Sequence, residues 1–581
     1  MSLNNNQISN KGFWLTQDET GHCFDHKLAL ELKDLFKTSN VLDLGCGPGH
    51  YTKYFLENNI KSEGYDGNPN TPIISKGLCK VADLTQLHVF EKKDWVLSLE
   101  VGEHIPKEYE HIFIQNLINH SNKGVVLSWA IPNQPGDGHV NCQDNQYVVD
   151  LMNKNGFKID IQSSEKLRES ADLWWFKNTL MVFKKIITPQ ITFCIPSKSN
   201  LRYLKTCIPS IRENASRNDH EIIIFVDSDE DGTVEWLEQV KDKFNLRYFV
   251  NPNIGESLFG IGKAYDYCIE HSTTDIFMIF HADMMLGKDA DLKAFNHLKG
   301  KTVVCATRIE PPLHPNNGEK ILIDFGMYPE EFKQGEFNQY VEEHSNDNKI
   351  TNGIFAPWMM LKQEYLKLGG HDPILHSCRE DSDIFNRMYL DGFEFIQPWN
   401  SLVYHLTGRG AGSFDGDPER HAKWKADMDR STLEFIRRWG SNVNHTALME
   451  PIVTPKYNIS YVVKKCNIQL LEVLEPWCDR IYIEDDIHVI IDSYIEKEQP
   501  NTSFDLTKRV FHVGHNNPIG ENDIVVEFDA TQLTQQSFQI LQQLPNIIKE
   551  SGEIGEFELD IFKITINHIE EYQNDLIYIK Q

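Results

Sequence analysis

The chain has 581 residues, and its 85 acidic residues outnumber 57 lysines and arginines, which gives a formal net charge of −28. So acidic a surface repels nucleic-acid phosphates and anionic lipids, which excludes sequence-independent binding to either. No apolar run approaches the roughly 18 residues that a membrane-spanning helix needs, and a chain of this length is expected to form several domains.

The cysteines and the N-terminal segment bear on the cellular compartment. The 11 cysteines occur singly, without a C-x-x-C pair, which is typical of reduced thiols rather than of disulfides or structural zinc. The first residues, "MSLNNNQISNKGFW", lack the basic start and the apolar core of a signal peptide. The sequence therefore predicts a cytoplasmic protein.

The first predicted element is a strand that runs into a glycine-rich turn and then a helix, in "NVLDLGCGPGHYTKYFLEN" (40–58). Gly45, Gly47 and Gly49 allow the backbone to turn tightly and to approach a ligand. The free N–H groups at the start of the following helix favour a ligand carboxylate. Such a turn is also typical of a Rossmann-type dinucleotide site, so the downstream residues must distinguish the two.

Acidic residues follow the next predicted strands. "SEGYDGN" places Asp66 where a carboxylate can accept hydrogen bonds from both ribose hydroxyls, and "KVADLTQ" places Asp83 where one can accept from an adenine amino group. A fourth strand, in "DWVLSLEVGEHIP" (94–106), is followed by Glu100, Glu103 and His104. This order of features favours a nucleoside site.

The series resembles the class I S-adenosylmethionine-dependent methyltransferases, of which "LDLGCGPG" is a specific signature. The resemblance covers residues 12–187 and ends with the strand-like "NTLMVFKK". It implies a Rossmann-like domain that binds S-adenosylmethionine. The cofactor-binding positions that it implies are Asp43, Gly45, Gly47, Gly49, Asp66 and Asp83.

The acceptor side of this site is less specified. Methyl transfer from a sulfonium is an in-line displacement that depends mainly on positioning, and a hydroxyl acceptor would also benefit from a general base. His104 is our candidate for that base, although a lone histidine is more often a hydrogen-bonded structural group. Other residues that could line the mouth of the site or close over it are His139, Asn141, Trp14, His22 and His26.

Near residue 188 a second series of strands and helices begins. "PQITFCIPSKSNLRYLKTCIPSI" contains a strand that ends in Pro196 and Ser197, and "HEIIIFVDSDEDGTVEWLEQV" contains one that ends in Asp227 and Asp229. A third strand and a glycine-rich bend precede the helix in "YFVNPNIGESLFGIGKAYDYCIEH". Such a series indicates an open α/β sheet, whose ligands lie at the carboxyl ends of the strands.

The fourth strand of this series, in "IFMIFHADMML" (276–286), ends in a carboxylate, that of Asp283. Removing a charge from water is costly unless a partner compensates it. A lysine, a helix N-terminus or a metal ion could each be that partner, and the strand alone does not distinguish them.

The second series resembles the inverting GT-A glycosyltransferases of family 2. That family holds a divalent cation at a strand-end D-x-D motif, whose first acid is replaced here by His281. The resemblance implies that Asp283 binds Mn²⁺ or Mg²⁺ beside the diphosphate of a nucleotide sugar. It also implies that His405, in "SLVYHLTGRGAGS" (401–413), is an additional metal ligand. The alternative is that Asp283 only caps the strand end.

A later segment, "APWMMLKQEYLKLGGHDPILHSCREDSDIFNRMYLDGF" (356–393), extends the resemblance. An inverting transfer needs a base on the acceptor hydroxyl. The resemblance implies Asp381 for this role, with Glu380 as the near alternative, whereas an acidic helix start stabilised by the helix dipole is the structural explanation. The other matching positions are Gly369, Gly370, Asp372, Asp383 and Arg387, with His371 in place of the usual aromatic residue.

Contacts to the nucleotide sugar are predicted from the strand ends and from charge. Lys263 and Arg409 are candidates for the diphosphate because they are basic. The other positions predicted to contact the nucleotide sugar are Pro196, Ser197, Asp227, Asp229 and Asp283.

In the last segment, 446–581, short apolar runs alternate with helical stretches, as in "YNISYVV", "RIYIED" and "IVVEFDATQL". This pattern predicts a small α/β domain. Neither a glycine turn nor a pair of acids accompanies it. An interaction or oligomerisation module is therefore expected, and a degenerate nucleotide-binding domain is the alternative.

Together these features predict an α/β multidomain chain with a Rossmann-like methyltransferase domain at 1–187, a GT-A nucleotide-sugar-binding domain at 188–445 and a small C-terminal α/β domain at 446–581. We expect a bifunctional methyltransferase and glycosyltransferase that acts on a glycan or glycan precursor, because tethering raises the effective concentration of one site's product at the other. A homo-oligomer could form through the C-terminal domain. The alternatives are a glycan-binding scaffold with decayed catalytic domains, and a methyltransferase that acts on an unrelated small molecule or protein.

Overall fold

The computed structural model describes residues 8–15, 22–186, 189–376, 378–407, 418–484, 488–513 and 522–579. The chain divides into two compact units, Met1–Ile187 and Thr188–Gln581. In the part of the chain that the structure describes, no helix is long and apolar enough to cross a lipid bilayer. The prediction of an α/β architecture is confirmed, because both units pack helices against mixed or parallel sheets.

The described part of the first unit contains one seven-stranded sheet. Its strands are β1 (Val41–Leu44), β2 (Ser62–Asp66), β3 (Lys80–Val81), β4 (Lys93–Leu99), β5 (Ser121–Ser128), β6 (Phe157–Ile159) and β7 (Met181–Lys185). Their order is β3-β2-β1-β4-β5-β7-β6, and only the pairs that involve β7 are antiparallel. Strands β1, β2 and β4 therefore end at one edge of the sheet, where Asp66 and Glu100 lie.

Helices cover both faces of this sheet. They are α1 (His26–Phe36), α2 (His50–Glu57), α3 (Thr71–Ile74), α4 (Glu110–Asn119), α5 (Asn145–Lys154), α6 (Ile161–Ser170) and α7 (Phe176–Thr179). Because side chains alternate along a strand, Val41 and Leu42 of β1 belong to two different hydrophobic clusters. The cluster of Leu42 includes apolar residues of α4 and α5, and that of Val41 includes residues of α1 and α6.

The second unit contains two further sheets between residues 192 and 405. The strands are β8 (Thr192–Lys198), β9 (Glu221–Ser228), β10 (Leu246–Val250), β11 (Ile276–Ile279), β12 (Met284–Leu286), β13 (Thr302–Cys305), β14 (Thr307–Glu310), β15 (Ile321–Leu322), β16 (Ile350–Thr351), β17 (Trp358–Leu361), β18 (Glu394–Pro398) and β19 (Leu402–His405). One sheet has the order β10-β9-β8-β11-β17-β13-β18-β16, and the other has the order β12-β19-β14-β15. Strands β8, β9, β10 and β11 are parallel, so their carboxyl ends share an edge.

The helices of this part pack around a core that the larger sheet supplies. They are α8 (Leu201–Asn214), α9 (Thr233–Val240), α10 (Ile261–Glu270), α11 (Ala290–Phe295), α12 (Gln334–Glu343), α13 (Lys362–Lys367), α14 (Glu380–Leu390) and α15 (Pro418–Trp439). The core cluster includes Phe277 and Met278 of β11, neither of which is exposed to solvent. A strand paired on both sides and covered on both faces accounts for the apolar run at 276–280.

The apolar residues that follow Asp283 belong to the other sheet. Strand β12 pairs antiparallel with β19, and Met284 lies opposite His405 in the register. The chain therefore leaves one sheet after Ile279 and joins the next at Met284. The intervening residues, His281 and Asp283 among them, lie where the two sheets meet, and Asp283 comes next to the end of β19.

The C-terminal part of the second unit forms a six-stranded sheet with the order β22-β21-β20-β23-β25-β24. Its strands are β20 (Ile459–Lys464), β21 (Arg480–Ile483), β22 (Val510–His512), β23 (Ile524–Asp529), β24 (Gly555–Leu559) and β25 (Phe562–Ile566), and its helices are α16 (Ile468–Leu474), α17 (His488–Glu498) and α18 (Gln535–Ser551). Ile436 of α15 belongs to the core of this sheet, and the buried Arg437 donates to Glu475 at 2.9 Å. The predicted boundary at 445/446 stays a prediction.

Candidate active sites

A cavity of about 890 Å³ opens at the carboxyl ends of β1, β2 and β4 in the first unit. The backbone of the glycine turn forms one wall, because the amides of Gly45 and Cys46 donate to the carbonyl of Tyr65 and so hold the turn against β2. The sequence-predicted residues that line the cavity are Asp43, Gly45, Gly47, Asp66, His104, His139, Trp14 and His22. Most of the positions predicted for the cofactor and the acceptor therefore share one space.

The glycine turn and Asp66 are joined directly. The amide of Gly47 donates to the Oδ2 atom of Asp66 at 2.8 Å, and the φ angle of Gly47 is +53°. A Cβ atom on Gly47 would lie 2.9 Å from Cε1 of His22, so this histidine packs over the turn. Residue 47 thus needs glycine both for its backbone angle and for the close approach of His22.

Two carboxylates lie beside the turn, that of Asp43 buried and that of Asp66 half-buried. Asp43 is buried and accepts a hydrogen bond from the Thr52 hydroxyl at 2.7 Å, and burial raises the pKa of Asp43 to about 7. Burial also raises the pKa of Asp66. This end of the cavity is acidic when the two groups are ionised, which suits a cationic ligand.

Other predicted residues of the first unit lie outside this cavity in the part of the chain that the structure describes. Asp83 forms a salt bridge with Lys11, and Gly49 packs so closely that a Cβ atom there would lie 2.5 Å from the sulfur of Cys79. Asn141 is buried and bonded to neighbouring side chains, and His26 packs on α1 against aromatic rings. The structure gives these residues local partners.

The lining of the cavity also includes a cluster of one carboxylate and two imidazoles. Glu103 is fully buried, and ligand atoms of Glu103, His104 and His139 all lie within 4.8 Å of one another. The rings of His104 and His139 are 5.0 Å apart between centroids. Burial, and then the charge of His139, lowers the pKa of His104 to about 4. The sequence pattern names Glu103 without giving it a role.

In the second unit the strand-end carboxylate of Asp283 faces a histidine. Asp283 is 5% exposed, and its Oδ1 atom lies 3.5 Å from Nε2 of His405. The Nδ1 atom of His405 lies 2.9 Å from Oε1 of Glu310, so a second carboxylate fixes the ring. Ligand atoms of His281, Asp283 and His405 all lie within 4.8 Å of one another. These three side chains could share a cation.

Buried charges of both signs surround this group. Arg308 and Lys320 form ion pairs with Glu310 at 2.7 and 2.9 Å. Burial alone would lower the pKa of His405, but Asp283 and Glu310 raise it to about 9. Burial alone would likewise raise the pKa of Asp283, but His405 holds it below its usual range. Burial, and then the charge of His405, lowers the pKa of His281 to about 4.

The residues predicted for the nucleotide lie at the ends of β8 and β9, which are neighbours of β11. Both carboxylate oxygens of Asp227 accept from the backbone, namely from the amides of Phe259 at 2.6 Å and Gly260 at 3.2 Å, so Asp227 anchors that loop. The Oγ atom of Ser197 and the Oδ1 atom of Asp229 are buried and have no hydrogen-bond partner among the described residues. These two atoms could therefore form hydrogen bonds with a ligand.

The remaining residues predicted to contact the nucleotide sugar are Pro196, Lys263 and Arg409. Pro196 is half-buried in β8, next to Ser197. Lys263 lies in the first turn of α10, with its Nζ atom 5.9 Å from the ring centroid of Phe259. Arg409 lies outside the described residues.

The acidic pair opens α14, as the sequence predicts for it. Glu380 is half-buried, and its Oε2 atom has no hydrogen-bond partner in the described structure. Burial, and then the charge of Asp381, raises the pKa of Glu380 to about 8. Asp381 accepts from the amide of Ser382 at 2.6 Å through Oδ1. Tyr265, which the sequence does not single out, has a buried hydroxyl without a partner, and its pKa is raised by burial, then by Glu380, with a further contribution from Asp283.

Two family models match the chain in the regions that hold these sites. Residues 19–178 match a methyltransferase domain family, and residues 192–367 match glycosyl transferase family 2. The chain combines a methyltransferase domain with a family 2 glycosyltransferase domain. Both domains belong to enzyme families.

Two of the solved structures that match the chain illustrate how distant they are. The magnesium protoporphyrin IX methyltransferase (ChlM) from Synechocystis PCC 6803 with bound SAH is 18% identical over 27% of this chain and 80% of that chain, with a TM-score of 0.21. The S. aureus TarS 1-349 in complex with UDP is 13% identical over 42% of this chain and 65% of that chain, with a TM-score of 0.28. No curated protein matches the chain.

The family 2 match includes His281 and Asp283 but ends before His405 and the acidic pair, Glu380 and Asp381.

In the glycosyltransferase domain, a buried ion pair within α14 fixes the helix that carries this acidic pair. Arg387 donates to Asp383 at 2.8 Å and to the carbonyls of Leu368 and Gly370, which ties α14 to the double-glycine turn. Trp439 also donates to Asp383, at 2.9 Å. Asp383 and Arg387 thus have structural partners, which leaves the half-buried Glu380 and Asp381 as the candidate acids of the helix start.

Two polar residues of the glycosyltransferase domain, Glu310 and Tyr265, matter here although the sequence analysis does not single them out. Glu310 orients His405, and Tyr265 lies near both Glu380 and Asp283. Glu310 ends β14, a strand that pairs with β19, so its position depends on a sheet that the sequence does not predict. Its only sequence signal is an acidic residue at the end of a short segment, "TRIE", in which Ile309 is the one apolar residue.

Proposed function

We propose that the chain is a bifunctional enzyme that methylates and glycosylates a glycan or a glycan precursor. The methyl donor would be S-adenosylmethionine, and the sugar donor would be a nucleotide sugar bound with a divalent cation. The two candidate sites share no residue, and each lies at the carboxyl edge of a sheet within its own compact unit. Ligands of open α/β sheets bind at such edges.

The methyl donor fits the cavity of the first unit. The N-terminus of α2 presents backbone N–H groups that suit the carboxylate of S-adenosylmethionine, and Asp66, which lines the cavity, would accept hydrogen bonds from the ribose hydroxyls. Buried acids such as Asp43 favour the positively charged sulfonium. The protein's main contribution to an in-line displacement is to hold donor and acceptor in line. We propose an acceptor oxygen, with His104 on its side of the cavity.

The residues around Asp283 fit a divalent cation. The fit rests on the donor set, because one carboxylate and two imidazoles converge within 4.8 Å and Glu310 fixes the ring of His405 from behind. A cation bound there would neutralise charge on the leaving diphosphate. The free oxygen atoms of Ser197 and Asp229 are available to the nucleoside at the neighbouring strand ends.

Sugar transfer with inversion needs a base that takes the proton of the acceptor hydroxyl. We propose Asp381 for this role and assign Glu380 the proton that the two adjacent carboxylates share. The raised pKa of Glu380, to about 8, supports this division, since two nearby carboxyl groups with different surroundings take different catalytic roles. Arg387 and Asp383 hold the helix that carries both.

A common acceptor and a cytoplasmic location complete the proposal. One chain that carries both activities raises the effective concentration of each product at the other site, which favours successive reactions on one glycan. The scattered single cysteines suit a reducing compartment.

The observation that carries the proposal is the convergence of Asp283, His405 and His281 at a strand end covered by the family 2 match. Thermal unfolding of the full chain with S-adenosylmethionine, and separately with UDP and Mn²⁺, tests it, because a ligand of the folded state raises its melting temperature. Other nucleoside diphosphates should be included in the same panel.

Two variants serve as controls for each other. Asp283→Asn should abolish the shift produced by nucleoside diphosphate and Mn²⁺ but keep the shift produced by S-adenosylmethionine, and Asp66→Asn should do the reverse. The proposal is contradicted if neither ligand class shifts the parent chain, or if Asp283→Asn responds to nucleotide and Mn²⁺ as the parent does.

A further inference from the structure

Glu103 presents an unusual burial problem in the methyltransferase domain. Its side chain is fully buried, it lines the cavity, and neither of its carboxylate oxygens has a hydrogen-bond partner among the described residues. Buried carboxyl groups are normally paired, hydrogen-bonded, protonated or bound to a metal. A bound metal is the one of these that the two neighbouring imidazoles make possible at Glu103, so it is the one to examine.

The backbone holds Glu103 rigidly next to the loop that carries His139. The carbonyl of Glu103 accepts from the amides of Val140 and Asn141, both at 2.9 Å. On the other side, Gly102 packs against Trp129, and a Cβ atom at residue 102 would lie 2.3 Å from the indole ring. The short helix Gly102–His104 is thus fixed between a buried indole and the 139–141 loop.

Both histidines are oriented by backbone carbonyls. The Nδ1 atom of His104 lies 3.2 Å from the carbonyl oxygen of Gly138, and that of His139 lies 3.2 Å from the carbonyl oxygen of Gln134. An imidazole that donates from Nδ1 keeps the lone pair on Nε2 for another partner. Histidines that bind metals usually donate their other ring nitrogen to a carbonyl or a carboxylate.

We propose that Glu103, His104 and His139 bind a divalent transition-metal ion, of which Zn²⁺ is the type, on the acceptor side of the methyl-transfer cavity. The ligand atoms of all three residues lie within 4.8 Å of one another. One carboxylate and two imidazoles form a ligand set of catalytic zinc sites, in which a further position stays open for water or substrate. Imidazole ligands favour transition ions over Mg²⁺ and Ca²⁺.

The ion would activate the acceptor, a role that rests on the proposed methyltransferase function. An acceptor hydroxyl bound at the open position would release its proton to solvent, because a bound cation lowers the pKa of an oxygen ligand. The oxygen would then form a bond to the methyl carbon while the carbon–sulfur bond breaks, and that electron pair would stay on sulfur. The sulfonium becomes a neutral thioether and the oxygen becomes a neutral ether. His104 is then a metal ligand and not the general base that the sequence suggests.

Metal content of the full chain tests the proposal. Because the glycosyltransferase site could also hold a cation, the comparison is made in an Asp283→Asn background. After dialysis against Zn²⁺ and removal of free metal, that chain should retain one Zn²⁺ per molecule by mass spectrometry of the metal. Glu103→Gln and His139→Asn should each lose it. Glu108→Gln and His111→Gln, which change exposed residues of the same unit, should retain it.

Thermal unfolding shows whether a variant loses Zn²⁺ only because it folds poorly. With a chelator present, Glu103→Gln should melt no lower than its background chain, because the buried Glu103 carboxyl group has no hydrogen-bond partner to lose in the described structure. With Zn²⁺ present, only the background chain should gain stability. Retention of Zn²⁺ by both Glu103→Gln and His139→Asn would overturn the proposal, as would a background chain that binds no Zn²⁺.

Binding of S-adenosylmethionine, measured by calorimetry without metal, separates the two hypotheses. A chain that binds S-adenosylmethionine but no Zn²⁺ overturns the metal site and leaves the methyltransferase function standing. A chain that binds Zn²⁺ in a manner that depends on Glu103 but does not bind S-adenosylmethionine supports the metal site and overturns the proposed function.

Discussion

Replacing Glu380 by glutamine should stabilise the second unit at alkaline pH much more than in acid. Burial, and then the charge of Asp381, raises the pKa of Glu380 from 4.5 to about 8. Between these two values the folded chain holds a proton that the unfolded chain has released. The free energy of unfolding therefore falls as pH rises through this window. Glutamine does not titrate, so the free energy of unfolding of Glu380→Gln should lack this decrease with rising pH.

The size of the effect follows from the two pKa values. At 1.36 kcal/mol for each unit, the whole difference corresponds to about 4–5 kcal/mol, of which about 3 kcal/mol develops between about pH 5.5 and about pH 8.5. In a unit of this size, a change of that order moves the melting temperature by about 4 °C.

Scanning calorimetry of the full chain at these two pH values measures the effect. Glu336→Gln is the matched control, because Glu336 is exposed on α12 and should give the same small difference at both pH values. If Glu380→Gln differs from the parent by the same amount at both pH values, the folded chain does not hold the proton on Glu380. The reasoning about the acidic pair would then be refuted.

Four further predictions concern single side chains. Asp66→Asn should weaken the binding of S-adenosylmethionine about 10- to 100-fold, as measured by calorimetry, because charge-assisted hydrogen bonds to the ribose are worth about 1.5–3 kcal/mol. Asp283→Asn should weaken nucleoside diphosphate binding only when Mn²⁺ is present, since a hard cation loses a charged oxygen ligand. Asp381→Asn should lower the rate of sugar transfer about 10²- to 10⁴-fold and leave donor binding nearly unchanged. Glu475→Gln should lower the free energy of unfolding by about 3–5 kcal/mol in a denaturant titration, because the buried Glu475 carboxylate pairs with both Arg437 and Arg509.

Each of these predictions can fail in a way that identifies the error. Unchanged affinity for S-adenosylmethionine in Asp66→Asn would mean that Asp66 does not contact the ribose. If Asp283→Asn weakens nucleotide binding equally with and without Mn²⁺, Asp283 contacts the nucleotide itself and not a cation. If Asp381→Asn transfers sugar at the parental rate, Asp381 is not the base and Glu380 becomes the candidate. A stability loss near zero in Glu475→Gln would mean that Glu434 and Glu498, which also pair with Arg437, are enough to compensate its charge.

The α/β fold could be predicted because strand and helix patterns alternate through most of the chain. Parallel strands end at a common edge, so acids that follow successive strands, such as Asp66 and Glu100, come together whatever lies between them in sequence. Residues whose position depends on a second sheet could not be predicted in this way. Glu310 reaches His405 because β14 pairs with β19, and nothing in the local sequence of either strand specifies that pairing.

Some residues that the sequence predicts to contact a ligand also have a partner within the protein. Asp83 is predicted from its place after a strand, and in the structure it pairs with Lys11, which is distant in sequence. Asp227 likewise follows a strand and is engaged by backbone amides of the loop at 259–260. A strand-end acid can cap a loop as readily as it can bind a ligand, and the sequence does not distinguish the two.

The role of residues 446–581 could not be predicted from the sequence for a related reason. Arg437 and Glu475 are ordinary charged residues in the sequence, yet the structure buries them together between α15 and the C-terminal sheet. Ile436 of the same helix packs into the core of that sheet. Such burial indicates that the C-terminal part is joined to the glycosyltransferase part through α15, which is why cutting the chain between them should be costly.

Asp283 and Glu103 show two ways in which the fold can treat a buried carboxylate after a strand. Asp283 faces His405 at 3.5 Å, and His405 is in turn held by Glu310, so the carboxylate has a partner without any cation. Glu103 has no partner in the described structure. A cation that arrives with a nucleotide can therefore enter and leave at Asp283 without exposing an unpaired charge. At Glu103 the same exchange would leave a buried carboxylate without an ion-pair partner until it took up a proton, so an ion there should exchange more slowly than one at Asp283.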